Sequence, residues 1–268
     1  MDNVGKTVRC GSTPRAIFIG ASSLLFAASA AATLVWCASM APMGGTPMPG
    51  GWSISALWAP MCGRTWFDAA VSFAGMWNMM MVAMMLPSLA PVLWRYLEAA
   101  AQANAARAGG LAALAGAGYF FVWLVVGLLV FAAGAQLAAI ASEAPALAHT
   151  APAGAGVVVV IAGVLQFTAW KVRRLASCTQ MPACGAARFD MQTALRHGLR
   201  LGRHCVCCCG NLMAALLAAG VMDRPAMALV AAAITAERLI PAGGRIVRAI
   251  GAVTVAAGVV MIVRAVTA

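Results

Sequence analysis

Sulfur-bearing side chains are concentrated in one short segment, where four of the nine cysteines fall within five residues. The segment contains His204, Cys205, Cys207, Cys208, Cys209 and Met213. On a helix, Cys205, Cys208 and Cys209 are spaced i, i+3 and i+4 and share one face. Met213 continues that face one turn later. Thiolate and thioether sulfurs are soft ligands, so the segment predicts a soft-metal site, with Cu(I) as the first candidate and zinc as the second.

A second sulfur-rich stretch lies in the apolar run 69–94. Met76, Met80 and Met84 are spaced i, i+4 and i+8, and Pro87 and Pro91 fall on the same side of the helix. Each proline disturbs the backbone hydrogen bond of a carbonyl four residues earlier. In lipid, a freed carbonyl must face protein or a polar cavity. This face is therefore predicted to point into a bundle, with Met80 and Met84 as candidate ligands, although methionine is also a common packing residue.

Three further residues are candidates for polar chemistry. His197 and His204 lie close enough along the chain to the cysteines to supply nitrogen ligands. Glu237 is an acid in a largely apolar segment, where ionisable residues are costly and commonly functional. The alternatives remain open, because Glu237 could lie at a membrane interface beside Arg238. The cysteines could likewise be small buried apolar residues.

Composition places these residues in a membrane protein. The chain is 63% hydrophobic and 9% charged, with a mean hydropathy of +0.90. Apolar runs of about 20 residues are typical of transmembrane helices. The net charge of +11 comes from arginines in short segments between apolar runs rather than from a basic surface interleaved with aromatics, so nucleic-acid binding is not expected. We expect a tail over 1–15 and one transmembrane domain over 16–268.

The fold class expected is all-α, a polytopic transmembrane bundle of six or seven helices. The predicted helices span 16–40, 69–94, 111–140, 155–170, 205–221, 225–240 and 245–266. Between them we expect a loop rich in Gly, Pro and Met over 41–68, whose methionines could collect a soft metal, and short loops over 95–110 and 141–154. The longest loop expected is the basic segment 171–204, which would end just before the cysteines.

The distribution of positive charge predicts the orientation. With the N-terminus in the cytoplasm of a bacterial cell, 15 of the 18 Lys and Arg residues fall on the inner side of the membrane, as the positive-inside rule requires. The cysteine segment would then lie at the cytoplasmic end of its helix. Thiols stay reduced in that compartment, so disulfides are not expected there.

The sequence resembles an uncharacterised bacterial family of predicted metal-binding integral membrane proteins, catalogued as a domain of unknown function. The matching residues are Trp77, Met80, Ala83, Met84, Met85, Pro87, Pro91, Cys205, Cys208, Cys209, Met213, Glu237 and Arg238. The resemblance covers roughly 69–262. Leu201 stands where the family has a histidine, Cys207 replaces a glycine and Gly210 replaces a tryptophan. One expected nitrogen ligand is therefore missing, and His197 or His204 could substitute for it.

These observations predict a membrane protein that binds Cu(I) or another soft metal in metal handling or delivery, without catalysis. The expected partners are the lipid bilayer and either a soluble metal carrier or a membrane partner protein. Two other classes remain open. Vicinal cysteines could serve a membrane thiol oxidoreductase or a metal-dependent membrane enzyme, or the chain could be a structural assembly factor whose cysteines only pack.

Overall fold

A computed structural model describes residues 12–40, 45–47, 53–55, 65–179, 189–220, 223–240 and 244–267. Its helices are Ser12–Met40 (α1), Trp66–Glu143 (α2), Pro145–Leu165 (α3), Ala169–Thr179 (α4), Met191–Ala219 (α5), Arg224–Leu239 (α6) and Gly244–Thr267 (α7). Two three-residue strands, Gly45–Pro47 (β1) and Ser53–Ser55 (β2), pair antiparallel. The predicted helical bundle is confirmed. Met43, Met48 and Met61, the methionines of the predicted loop 41–68, lie outside the described residues.

The 78-residue helix α2 is a helical hairpin. Asn104 has non-helical dihedral angles (φ −158°, ψ 98°) and separates a first arm, 66–103, from a second arm, 105–143. The Phe73 and Phe131 ring centroids lie 5.3 Å apart, and the indole of Trp77 donates to the carbonyl of Trp123 at 2.8 Å. Residue numbers rise along the first arm, from Phe73 to Trp77, as those of their partners fall from Phe131 to Trp123. The two arms therefore run antiparallel.

The arms of α2 confirm the predicted helices 69–94 and 111–140. The predicted loop 95–110 is wrong, because the chain stays helical there except at Asn104. The segment is rich in alanine, which has the highest helix propensity, and a reversal at one residue leaves the remaining backbone groups free to form helical hydrogen bonds.

Helix α5 begins 14 residues before the predicted start at 205. Asp190 is its N-cap and accepts a hydrogen bond from the backbone N–H of Thr193 at 2.7 Å, which satisfies one of the free donors of the first turn. Contrary to expectation, the described part of the basic segment 171–204 is largely helical, over 171–179 and 191–204. The predicted loop 141–154 is also wrong, because α3 begins at Pro145.

Helix α5 lies between the two arms of α2. It runs antiparallel to the first arm, where His197 stacks on Tyr96 with 5.0 Å between ring centroids. It runs parallel to the second arm, whose backbone comes so close at Gly198 and Gly202 that a side chain would not fit. Small residues commonly allow this close approach between membrane helices. The two glycines therefore set how near α5 lies to the second arm.

We predict that Gly198→Ala destabilises the bundle by about 1–3 kcal/mol, because the added methyl group would overlap the backbone of Ala115 and force the helices apart. Gly210→Ala is the matched control on the same helix, since a methyl group there meets no atom within 4 Å and raises helix propensity. Thermal unfolding in detergent measures both. Equal midpoints for the two variants would contradict the prediction.

Helices α3 and α7 form a second close pair, with glycines at both sides of the contact. Gly163 lies against the backbone of Gly251 and Val255, and Gly156 lies against Gly258. After α3 the chain bends by 69° into α4. Sequence position falls on one helix as it rises on the other, so the pair is antiparallel.

Several described helices are suited to a bilayer by length and composition. Four of them, α1, α2, α5 and α7, could each cross a membrane, and the bent pair α3–α4 is a fifth candidate. A straight α2 would extend about 117 Å at 1.5 Å per residue, and each arm of its hairpin is long enough for one crossing. Large apolar side chains such as Leu24, Leu129, Ile161 and Val253 are exposed around the bundle.

Candidate metal centre

Three sulfur atoms meet in the interior of the bundle. The Sγ atom of Cys205 lies 4.0 Å from the Sδ atom of Met85 and 4.0 Å from the Sγ atom of Cys209. All three side chains are buried, with at most 1% of their surface exposed. Cys205 and Cys209 come from successive turns of α5, and Met85 comes from the first arm of α2. We call these three residues the sulfur centre.

The spacing of the sulfur centre suits a soft metal. With a metal–sulfur bond of about 2.3 Å, as in thiolate zinc sites, sulfurs at the corners of a trigonal plane lie about 4.0 Å apart. Both measured separations from Cys205 have this value. Thiolate and thioether sulfurs are soft donors, which suit Cu(I), zinc and iron–sulfur clusters.

Polar groups surround Cys205 from the second arm and from α6. The Tyr119 hydroxyl donates to Cys205 Sγ at 2.9 Å. The indole N–H of Trp123 lies near the same sulfur and has no hydrogen-bond partner with full geometry among the described residues. The guanidinium of Arg238 interacts electrostatically with Cys205 and Cys209. These groups compensate the negative charge of thiolate or metal-bound thiolate sulfur.

Cys208 differs from its neighbours. It is buried on the same helix as predicted, but its Sγ lies 3.3 Å from the carbonyl oxygen of Arg174 in α4, away from the sulfur centre. It is disulfide-bonded, whereas Cys205, Cys207 and Cys209 are free. The expectation of no disulfide is therefore wrong at Cys208, because a packed helix α4 replaces the predicted loop and meets this face of α5.

Cys207 is the remaining cysteine of the predicted set. Cys207 is half-buried and adjoins the centre only through the chain. The side chains of Cys178 and Cys184 lie outside those that the structure describes.

The two histidines lie apart from the sulfur centre. His197 stacks on Tyr96 and precedes Cys205 by two turns, about 12 Å along the helix axis. His204 lines a neighbouring cavity. Across the described residues, no group of three or more His, Cys, Asp or Glu side chains could hold a metal. A three-ligand site built on Cys205 and Cys209 would therefore need a donor of another type, and the Met85 thioether sulfur contacts Cys205 Sγ.

The predicted methionines are buried in the same core cluster as Cys205 and Cys209. Met80 is 2% exposed, Met84 is 4% exposed and Met213 is 3% exposed. Their burial agrees with the predicted inward face, but the sulfur that contacts Cys205 belongs to Met85.

Only part of the predicted proline face points inward. Pro87 is half-buried, while Pro91 is exposed, so the expectation that both point into the bundle is wrong for Pro91. The first arm nears its end at this position, and Pro91 lines the cavity that His204 also borders. A polar cavity can also satisfy the carbonyl that a proline leaves free.

A buried polar network lies behind the cysteines. Lys171 in α4 and Glu237 in α6 form an ion pair at 2.9 Å, with both side chains 1% exposed. Gln166, at the bend between α3 and α4, donates to Glu237 at 2.7 Å. Lys171 also donates to the backbone carbonyl of Cys208 at 2.5 Å and to Asn211 at 3.3 Å. The network ties three helices to the cysteine segment.

Sequence reasoning missed several residues that the structure places around the cysteines. Lys171 was assigned to a loop, and Gln166 was not singled out. Tyr119 was not among the candidate residues, and Met85 appeared only among the residues that carry the resemblance. Gln166 and Lys171 could have been identified by their polarity, because they lie at the end of an apolar run. Polar residues are costly there and are commonly functional.

The fold and these contacts define a helical bundle with a buried centre of soft ligands. A protein-family model described as "PpoB2: Copper chaperone" matches residues 74–261, more than two thirds of the chain. The chain therefore belongs to this copper chaperone family, and the match supports copper handling. It also agrees with the expected family-like region 69–262. No curated protein and no solved structure matches the chain.

Proposed function

We propose that the protein is a membrane-embedded copper chaperone that holds Cu(I) between Cys205, Cys209 and Met85. Membership of the copper chaperone family supports the metal. The observation that carries the site is the pair of 4.0 Å sulfur–sulfur separations about Cys205. Soft sulfur donors favour Cu(I), and a structural zinc site would ordinarily have four ligands.

The rest of the predicted ligand set stays a prediction. Met80, Met84 and Met213 belong to the same buried cluster as the sulfur centre, and we propose them as further thioether ligands during transfer. Cys207, Cys208, His197 and His204 would need a rearrangement of α5 to reach the copper. The two thiolates and Met85 are therefore the first set to test.

The proposed location is the inner membrane, with the N-terminus in the cytoplasm. The exposed apolar side chains around the bundle and the crossing-length helices support burial in lipid. The concentration of Lys and Arg in alternate segments supports the orientation. A chaperone must exchange its metal with another molecule, so a soluble metal carrier or a membrane partner protein is proposed as the copper donor or acceptor.

Metal binding to the purified chain tests the proposed function. The protein, kept reduced in mild detergent, is titrated with Cu(I) against a chelator of known affinity, and the copper-loaded form is examined by X-ray absorption. We expect one Cu(I) per chain with about three sulfurs at about 2.3 Å. A first shell of nitrogen and oxygen, or the absence of competitive copper binding, would overturn the proposal.

We predict that Met85→Leu weakens Cu(I) binding by at least about 10- to 100-fold, because loss of a group that only supports a metal ligand already costs that much and Met85 would bind the metal directly. Leucine keeps the apolar volume and removes only the sulfur. Met79→Leu is the matched control, because Met79 belongs to the same arm and is 48% exposed. Competition titration gives both affinities, and equal values would remove Met85 from the site.

Thiol–disulfide exchange is a second candidate function, favoured by one observation. The disulfide-bonded Cys208 adjoins the free thiol of Cys209 in sequence, and a thiolate can attack a disulfide sulfur. Alkylation and mass spectrometry before and after mild reductant would reveal reversible pairs if this function is correct. Under the copper proposal, Cys205 and Cys209 instead react with the alkylating agent unless Cu(I) is bound.

A further inference from the structure

A cavity of about 160 Å³ lies beside the sulfur centre, between the arms of α2, α5 and α6. Its mouth is bordered by Pro91 and Arg95, which are exposed. Its inner wall is formed by Ser88, Tyr119 and Leu201, which are buried. The volume leaves room for several water molecules or one small polyatomic ion. Since Tyr119 also donates to Cys205, the inner wall of the cavity is one side chain away from the copper site.

The cavity concentrates positive charge. The positive charge comes from Arg95 and Arg238, which line the cavity together with His204, and none of the described lining residues is acidic. Glu237, the residue before Arg238, does not line the cavity. Its carboxylate forms the ion pair with Lys171 behind the cysteines. No ion pair joins Arg95 or Arg238 to a carboxylate of the described residues. Arg95 and Arg238 therefore face the cavity without a carboxylate from that part of the chain.

Arg238 keeps unused donor capacity. One terminal nitrogen donates to Ser88 Oγ at 3.3 Å, and Ser88 itself donates to the carbonyl of Met85 at 2.9 Å. The Nε atom of Arg238 is buried and has no hydrogen-bond partner in the described structure. A buried guanidinium donor without an acceptor is unfavourable, so an acceptor from outside the described side chains would be stabilising.

The copper site does not balance this charge. Cu(I) bound by two thiolates carries one net negative charge, whereas Arg95 and Arg238 supply two positive charges. Lys171 and Glu237 neutralise each other. One positive charge therefore remains when copper is bound, and it lies on the cavity side.

We propose that this cavity binds one small oxyanion, a carboxylate or inorganic phosphate, between the guanidinium groups of Arg95 and Arg238. The planar guanidinium matches the oxygen geometry of both ligands and forms charge-assisted hydrogen bonds with them. The site depends on the cavity and not on copper, so it stands separately from the proposed function.

Equilibrium dialysis of the metal-free, full-length protein in non-ionic detergent tests the site with radiolabelled phosphate and radiolabelled acetate at fixed ionic strength. We expect one saturable site per chain for at least one of these anions. The anion that binds more tightly shows whether the site prefers a phosphate or a carboxylate. Arg238→Gln and Arg95→Gln should each weaken binding about tenfold or more, since hydrogen bonds to charged groups are the stronger class.

Arg107→Gln is the matched control, because Arg107 is an exposed arginine of the same helix α2 and does not line the cavity. Its anion affinity should equal that of the unmodified protein. Arg95 is exposed, so its substitution tests the site even if Arg238→Gln fails to fold. Absence of saturable binding for both anions would overturn the proposal. An equal loss of anion affinity in Arg95→Gln and Arg107→Gln would also overturn it, because it would indicate diffuse electrostatic attraction to the surface.

Discussion

Replacing Cys205 and Cys209 together by serine is expected to weaken Cu(I) binding about a thousandfold or more. Both thiolates are lost from a centre in which, among the described residues, Met85 is the one further sulfur in contact with Cys205. Loss of a group that merely supports a metal ligand costs about 10- to 100-fold in affinity, and these two residues would bind the metal directly. Competition with a Cu(I) chelator gives the affinities of the variant and of the unmodified protein.

Cys207→Ser is the matched control for this double variant. Cys207 lies between the two ligands in sequence, is free and is half-buried on another side of α5. Its substitution should leave the affinity within a few-fold of the starting value. Thermal unfolding without metal identifies any general destabilisation from burying two hydroxyl groups. Retention of tight binding by a folded double variant would remove the cysteine pair from the copper site.

The helices were predictable where apolar runs were long, and less so at their boundaries. The runs that form α1 and α7, and both arms of α2, identify helices directly. The start of α5 was missed because residues 191–204 are too polar to look like part of a membrane helix. Asp190, which caps this helix, was the local signal for its start.

The sulfur centre was predictable only in its α5 half. The spacing of Cys205 and Cys209 follows from helix geometry, and the structure buries both. Met85 is 120 residues from Cys205, and Tyr119 is 86 residues from it. Which of the many methionines in the first arm meets the cysteines depends on the rotation and depth of two packed helices. Local spacing does not fix either quantity.

Lys171 shows how a charge count can conceal a buried residue. Counted with its neighbours Arg173 and Arg174, it reads as an interfacial cation that fixes orientation. The 69° bend between α3 and α4 instead turns it into the bundle, opposite Glu237. Glu237 was a candidate from the sequence, but its partner could be found only from the packing of α4 against α6.

Glu237→Gln is expected to destabilise the protein by about 3–5 kcal/mol, because it leaves the buried ammonium of Lys171 without its counter-ion. Both side chains are 1% exposed, so water cannot replace the lost carboxylate without opening the contact among α4, α5 and α6. Unfolding of the metal-free protein in mixed micelles measures the loss. Glu143→Gln, at the exposed end of α2, should change the unfolding free energy by less than about 0.5 kcal/mol.

The double variant Lys171→Met and Glu237→Leu separates charge from packing. Replacing a buried ion pair by apolar residues of similar volume is often neutral or stabilising, so this variant should regain most of the stability that Glu237→Gln loses. Its copper affinity is informative as well, because Lys171 donates to the backbone of Cys208. If the ion pair serves stability alone, the affinity is unchanged. A weaker copper affinity in a stable double variant would show that the ion pair also positions the cysteine turn of α5. For the single variant, a Glu237→Gln protein as stable as the unmodified one would contradict the burial of the ion pair.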